Sequence, residues 1–202
     1  MLTPGGASVR GAPGRAAPLA DLVGQGLTAL ETWDSRGASA WASSCHVAVV
    51  RIDVETGGVQ MLRYVIAHDS GRPINPMLMD GQLHGGYAHG LGYALFEEAV
   101  YADDGRFLGP SFLDYTLPSP PELAAEPELI HTESPSSHNP EGFRGVGEAG
   151  TIAVPAAIAN AVEDALHACG RQIEVDAVPI TPLRLWTLLT AGDAARPPEV
   201  GR

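Results

Sequence analysis

One glycine-rich stretch decides how the rest of this sequence is interpreted: Gly142-Phe143-Arg144-Gly145-Val146-Gly147-Glu148-Ala149-Gly150. Four of its nine residues are glycine, which permits positive φ and a close approach of the backbone to a ligand. The apolar run that follows, residues 151–166, predicts a helix, so Glu148 should lie on a tight turn where helix N-terminal amides face outward. Two interpretations are open at this point: a turn with a helix-capping glutamate, or a general base beside a cofactor.

Composition bounds the possible functions. The chain has 202 residues, 45% of them hydrophobic, which is enough for one sizeable core or two small ones. Its 24 acidic and 12 basic residues give a formal charge of −12, which argues against a nucleic-acid partner. No apolar run is long enough for a membrane helix, and the N-terminus lacks a secretory signal. Cys45 and Cys169 lack metal-site spacing, so we expect free thiols and a cytoplasmic location.

The secondary-structure pattern predicts an α+β fold, with β-hairpins and a mixed sheet packed against two main Gly/Ala-rich helices. Strands are predicted over residues 45–54, 59–67, 111–117 and 128–133, with a second hairpin at 99–108. Helices are predicted over residues 19–30, 77–98, 151–169 and 181–190. The domain organisation follows as a disordered arm at 1–18, one domain at 19–190 and a flexible tail at 191–202.

The helix predicted at 77–98 is unusual because it carries several glycines. Each interior glycine costs about 1 kcal/mol relative to alanine, so a series of them needs a reason. Gly81, Gly85, Gly86 and Gly90 recur near four-residue intervals and would line one side. That side would admit either a flat ligand or a tightly packed element, and the sequence favours neither. His84 and His89 on the same helix are five residues apart, which is not the spacing of a helical metal site.

Three blocks, taken together, resemble the C-terminal part of the large, molybdopterin-binding subunit of the xanthine dehydrogenase / aldehyde oxidase / carbon monoxide dehydrogenase family. The blocks are residues 68–76 (His-Asp-Ser-Gly-Arg-Pro-Ile-Asn-Pro), 81–92 (beginning Gly-Gln-Leu-His-Gly-Gly) and 145–150 (Gly-Val-Gly-Glu-Ala-Gly). Supporting matches lie at 111–118 and 155–161. The order and spacing of the blocks over residues 19–189 carry the resemblance.

The resemblance implies an oxidative hydroxylation of an aldehyde, a heterocycle or a similar small molecule, with water as the oxygen source. It implies Glu148 as the general base and a molybdenum-molybdopterin cofactor, in the cytosine dinucleotide form, whose metal no protein side chain ligates. Gln82 corresponds to the family's pterin-contacting amide. The other implied cofactor-binding residues are Gly85, Gly86, Gly145, Gly147, Ala149, Gly150 and Thr151. His138 and Asn139 precede the motif and are weighed equally as site residues or as polar loop residues.

The resemblance also implies partners, because large subunits of this family are several times longer than this chain. We expect a chain that supplies the N-terminal part of the large subunit, with iron–sulfur and FAD cofactors only on further partner chains. No nucleic acid and no membrane are expected as partners. The alternative is a truncated, non-catalytic remnant or binding module of the same fold.

Overall fold

The computed structural model describes residues 2–3, 5–24, 26, 28, 30–32, 40–123 and 125–194. The chain divides into two compact units, Met1–Gly37 and Ala38–Arg202. All the predicted site residues lie in the second unit.

The first unit contains a small antiparallel sheet of β1 (Leu2–Thr3), β2 (Gly6–Val9) and β3 (Ala12–Pro18), in that order. A disordered arm was predicted here, because residues 1–18 show no hydrophobic periodicity. Backbone pairing between β2 and β3 does not need that periodicity, and Gly11 provides the turn with a φ of 84°. Helix α1 (Leu19–Val23) is shorter than the predicted 19–30 because it ends at Gly24, whose φ is 55°. The domain boundary at residue 18 stays a prediction.

The second unit is built on a three-stranded mixed sheet in the order β4-β5-β6. Strands β4 (Ser43–Asp53) and β5 (Gly58–Asp69) pair antiparallel, and β6 (Glu128–Thr132) pairs parallel to β5. The hairpin turn forms because the Asp53 carboxylate accepts the amides of Glu55 and Thr56 at 2.9 and 3.3 Å. The predicted first hairpin and the strand at 128–133 are confirmed.

Three helices complete the second unit: α2 (Pro76–Leu95), α3 (Val154–Ala168) and α4 (Pro182–Ala194). The Asn75 side chain caps α2 by accepting the amide of Leu78 at 3.2 Å. Helix α3 buries apolar side chains that recur every four residues from Val154 to Leu166. They pack in one core with side chains of β5, α2 and α4. The core includes Tyr64, Ile66, Leu83, Tyr87, Leu91, Leu95, Val154, Ile158, Val162, Leu166, Ile180, Leu185 and Leu189. The predicted α+β class with two main helices is confirmed.

One predicted β segment is wrong, and the second hairpin is shorter than predicted. Residues 111–117 form turns rather than a strand, because Ser111 draws the chain back on itself: its carbonyl accepts the amides of Asp114 and Tyr115 at 3.1 and 2.9 Å. The second hairpin is reduced to one bridge between Tyr101 and Phe107. Residues 191–194 extend α4, and the rest of the predicted tail, 195–202, lies outside the described residues. Among the helices of the described ranges, none has the length and apolarity to cross a membrane.

Candidate cofactor-binding site

Glu148 lies in a run of turns directly before α3. Its backbone carbonyl closes the turn by accepting the amides of Thr151 and Ile152 at 3.0 and 3.2 Å. Its carboxylate is exposed, and no residue in the described ranges forms a hydrogen bond or an ion pair with it. Helix α3 begins at Val154 without a side-chain cap. The turn position agrees with the sequence prediction, whereas the capping interpretation is wrong, because the helix begins too far along the chain.

Helix α2 packs closely against this turn through glycines. A Cβ on Gly86 would lie 2.7 Å from the carbonyl carbon of Gly150, and one on Gly150 would lie 2.6 Å from the Leu83 oxygen. A Cβ on Gly90 would similarly overlap Val154 at 2.5 Å. Tight packing of one element on another therefore explains these three glycines.

Other glycines of the two motifs have no such neighbours. A Cβ on Gly81, Gly85, Gly145 or Gly147 would meet no described atom within 4 Å, and none of the four has a positive φ. Neither packing nor backbone conformation in the described chain requires glycine at these positions. A planar cofactor that approaches closely needs backbone without side chains, together with polar groups that it can contact. The four glycines, the exposed Glu148 carboxylate and the exposed Gln82 amide provide both, so the residues present fit such a group.

Gly85 and Gly86 are among the residues that the resemblance implies for cofactor binding. Both residues lie in the middle of α2, where an amide donates to the carbonyl four residues earlier. These amides are committed to the helix, so Gly85 offers a cofactor only close approach, and the space beside Gly86 is already filled by Gly150.

Polar side chains beneath the turn hold its backbone. His46 on β4 lies with Nε2 3.1 Å from the Ala149 carbonyl oxygen and Nδ1 2.9 Å from the Tyr64 hydroxyl. Tyr93 on α2 donates its hydroxyl to the Thr151 carbonyl at 2.9 Å. Burial lowers the pKa of His46 and raises the pKa of the fully buried Tyr64. The sequence analysis missed His46, although its place in the inward series of β4, with Ala48 and Val50, was a usable signal.

The first sequence block is hydrogen-bonded to the residues that directly precede the third block. The Arg144 amide donates to the Ser70 carbonyl at 2.7 Å, and the Arg72 amide donates to the Gly142 carbonyl at 3.1 Å. The Asp69 carboxylate accepts the Gly71 amide at 2.8 Å and the Ser134 amide at 3.1 Å. Hydrogen bonds from Ser134, and further ones from Gly71 and Thr132, lower the pKa of Asp69 to about 2.

A cleft of ≈ 230 Å³ lies where these segments meet. Gln82 lines it together with Val146, so the structure brings the second and third blocks to one place. Arg72 and Arg144 give it a basic edge, and the remaining lining is largely apolar: Ser70, Pro73, Ile74, Asn75, Leu78, Met79 and Phe143. The other implied site residues lie outside this lining: Gly85, Gly86, Gly145, Gly147, Glu148, Ala149, Gly150 and Thr151.

The two residues that precede the motif belong to the loop rather than to the cleft. Asn139 binds the Phe143 backbone twice, donating to its carbonyl at 2.9 Å and accepting its amide at 3.0 Å. His138 is exposed and does not line the cleft. The polar-loop interpretation therefore describes Asn139, and a role for His138 in the site stays a prediction.

Comparison with known proteins shows the family of the chain. The family model of the molybdopterin cofactor-binding domain matches residues 14–124. The chain is 39% identical over 138 residues to the 6-hydroxypseudooxynicotine dehydrogenase complex subunit gamma of Paenarthrobacter nicotinovorans, covering 68% of this chain and 17% of that one. It is 35% identical over 164 residues to the carbon monoxide dehydrogenase large chain of Afipia carboxidovorans, covering 80% and 19%.

A solved structure also matches. Quinoline 2-oxidoreductase from Pseudomonas putida 86 superposes with a TM-score of 0.78 at 32% identity, over 93% of this chain and 25% of that one. The chain belongs to the molybdopterin-binding large-subunit family of the xanthine, aldehyde and carbon monoxide oxidoreductases. It spans about a fifth of the length of the curated relatives it matches, 17% and 19% for the two described above.

Proposed function

We propose that this chain forms one wall of the cofactor cleft in a molybdenum hydroxylase large subunit, with Glu148 as the general base. The assembled enzyme would hydroxylate a small molecule, with water as the oxygen source. The observation that carries the proposal is the exposed carboxylate of Glu148, which has no hydrogen-bond or ion-pair partner among the described residues. The backbone of its turn is held by His46, and Gly145 and Gly147 beside it have free space where a side chain would be.

The cofactor in this proposal is molybdenum-molybdopterin in its cytosine dinucleotide form. Gln82 would bind the pterin through its amide, which both donates and accepts, and the open positions Gly85, Gly145 and Gly147 would admit the cofactor closely. Ala149, Gly150 and Thr151 would contribute backbone groups of the turn. Gly86 would act indirectly, since its missing side chain lets the turn approach α2. When bound, this group supplies the acceptor for the two electrons of the oxidation.

The role of Glu148 is to take a proton from the water that becomes the product hydroxyl. A general base must come within hydrogen-bond reach, about 2.6–3.2 Å, of that proton. The turn is suited to this because its backbone is held by His46, by Tyr93 and by its own hydrogen bonds to the Glu148 carbonyl. The Glu148 carboxylate is exposed and therefore free to contact a ligand.

The basic edge of the cleft supports an anionic ligand group. Arg144 donates to the carbonyls of Ser134 and Trp41 at 2.9 and 2.8 Å, which fixes its guanidinium in place. Arg72 lines the same cleft. In a chain with a net charge of −12, two arginines here favour a phosphate-bearing cofactor. The cleft volume of ≈ 230 Å³ falls below that of a complete site for a large ligand, about 300–1,000 Å³, so a second wall is needed.

The partners in this proposal are the rest of the large subunit and, for electron transfer, iron–sulfur and flavin subunits. Two relatives are named as a complex subunit and a large chain, which supports a multi-subunit assembly. The substrate class is an aromatic nitrogen heterocycle or an aldehyde. The names of two relatives, a 6-hydroxypseudooxynicotine dehydrogenase subunit and quinoline 2-oxidoreductase, make heterocycles the first to test. A cytoplasmic location is part of the same proposal.

The test is to co-express the chain with the remainder of a large subunit and the electron-transfer subunits, and then to measure metal content and turnover. We expect molybdenum near one equivalent per assembly. Glu148→Gln should lower kcat by about 10²–10⁴-fold, because it removes the base without changing the shape of the side chain. Molybdenum content should be unchanged in the variant.

Glu141→Gln is the matched control, since Glu141 is an exposed glutamate just before the same motif and should leave turnover unchanged. Wild-type rates in Glu148→Gln would contradict the proposed base. Absence of molybdenum from every assembly would instead support the non-catalytic alternative.

A further inference from the structure

The most constrained polar group beneath the Glu148 turn is His46. It joins three separate parts of the second unit: β4, which carries it; β5, through the Tyr64 hydroxyl at 2.9 Å; and the turn, through the Ala149 carbonyl at 3.1 Å. The ring of Tyr64 also meets the imidazole edge-on, with centroids 5.7 Å apart. An imidazole held at both nitrogens and at its edge has little freedom to reorient.

The two hydrogen-bond partners of His46 determine which of its ring nitrogens carries the proton. A carbonyl oxygen only accepts, so Nε2 of His46 carries the proton that it shares with Ala149. Burial favours the neutral ring, so Nδ1 has a lone pair and accepts from the Tyr64 hydroxyl. The result is a directed chain, from the Tyr64 hydroxyl to His46 and on to the Ala149 carbonyl. Successive hydrogen bonds of this kind polarise and strengthen one another.

This series of hydrogen bonds ends at Ala149, the residue after the proposed base. The Ala149 carbonyl belongs to the peptide group that links Ala149 to Gly150, and a trans peptide directs its N–H opposite to its carbonyl. Fixing that carbonyl toward β4 therefore fixes the orientation of the peptide between Ala149 and Gly150, one residue after Glu148. Gly150 cannot compensate by shifting, because it is packed against the Leu83 backbone.

We propose that His46 is a positioning residue for the Glu148 turn and that Tyr64 sets the tautomer in which it acts. This inference rests on the proposed function for its catalytic meaning. Its structural content concerns the described residues alone and can be tested on the full 202-residue chain without cofactor.

The test is hydrogen exchange of the amides of Thr151 and Ile152, which report directly on the turn because both donate to the Glu148 carbonyl. His46→Leu removes the donor and should speed their exchange about threefold to tenfold, the effect of losing one buried hydrogen bond. His46→Gln keeps a donor for Ala149 and an acceptor for Tyr64, and should restore exchange to within about twofold of the parent.

Val50→Ala is the control, because Val50 lies on the same strand and its apolar side chain packs on the core, where it can form no hydrogen bond to the turn. It should lower overall stability while leaving exchange at Thr151 and Ile152 at the parental rate. Parental exchange in His46→Leu, equal exchange in the Leu and Gln variants, or the same local increase in Val50→Ala would each overturn the proposal.

A second readout applies to the assembled enzyme. His46→Leu should lower kcat while KM stays within about twofold, since the base is displaced but substrate contacts are not. The exchange result does not depend on the metal, whereas Glu148→Gln reports on the proposed function alone. Failure of either idea can therefore be recognised separately.

Discussion

Asp69 stabilises the site without belonging to the cleft. It ends β5, and its carboxylate accepts amides from both Gly71 and Ser134, two residues that lie far apart in the chain. Both amides donate to Oδ1, and the other carboxylate oxygen, Oδ2, accepts a longer hydrogen bond from the Thr132 hydroxyl at 3.3 Å. These donors favour the ionised form, which is why the pKa of Asp69 falls to about 2.

Acid should therefore weaken the fold through Asp69. The folded-state pKa lies below the ordinary value of 3.8, so the ionised carboxylate contributes its full stabilisation above about pH 4. That contribution is lost as the pH falls through about 2. Asp69→Asn should lower Tm at about pH 6, and the difference from the parent should shrink toward about pH 2.

The measurement is thermal unfolding of the parent and the variant across this range. Asp103→Asn is the control, because Asp103 is an exposed aspartate in a surface turn. A difference in Tm that stays constant with pH would contradict the role assigned to the Asp69 carboxylate.

Helix α2 is the element in which packing and proposed binding are combined. One part of its glycine series meets the Gly150 turn and α3, and another part, Gly81 and Gly85, lies open. Adjacent residues therefore differ in purpose: Gly86 is needed by the fold, and Gly85 is not. The sequence predicts all four glycines on one side of the helix, because it does not show which residues pack against each of them.

The pair Gly85→Ala and Gly86→Ala tests this division. Gly86→Ala should destabilise the chain by about 1–3 kcal/mol, because the new methyl group would overlap the backbone of Gly150 and Thr151. Gly85→Ala should leave stability unchanged or raise it by up to about 1 kcal/mol, since alanine is the better helix former.

Denaturant unfolding of the isolated chain measures both effects, and equal destabilisation by the two variants would contradict the packing argument. In the assembled enzyme, Gly85→Ala should lower molybdenum content, because the methyl group would occupy space proposed for the cofactor.

The second unit exposes apolar side chains that its own core does not use. Around the start of α2, Ile74 is 78% exposed, Met77 75% and Leu78 62%. Ile74 and Leu78 also line the cleft. Since the proposed second wall of the cleft comes from the rest of the large subunit, this apolar patch (Ile74, Met77 and Leu78) is where that contact is expected.

We expect the isolated chain to bind a hydrophobic dye, and addition of the complementary part of the large subunit to reduce the signal. The double variant Ile74→Ser/Met77→Ser should weaken that association at least about tenfold, as for the loss of central interface residues. Stability of the isolated chain should change by less than about 0.5 kcal/mol, because both side chains are exposed.

Leu113→Ser is the matched control, since Leu113 is 91% exposed on a loop outside the cleft lining. It should leave the association unchanged. Unaltered association in the double variant would show that the complementary segment docks elsewhere.

Local features of the fold could be predicted from the sequence because they are encoded by neighbouring residues. The hairpin of β4 and β5 follows from alternation around a Gly-containing turn, and α3 follows from apolar residues four apart. The strands of the first unit could not be predicted this way, because their pairing depends on backbone hydrogen bonds rather than on apolar side chains. Residues 111–117 were predicted wrongly because the bonds of Ser111 outweigh β-propensity.

The sequence by itself determined the three motif blocks, with Gln82 and Glu148 in them, and the family that their order and spacing indicate. Only the tertiary structure decided which glycines are packed and which are open, that Glu148 does not cap α3, and that His46, 103 residues before Ala149, holds the turn. The physical reason is that motifs are local in the chain, whereas steric contact and hydrogen-bond partnership depend on residues that folding alone brings together.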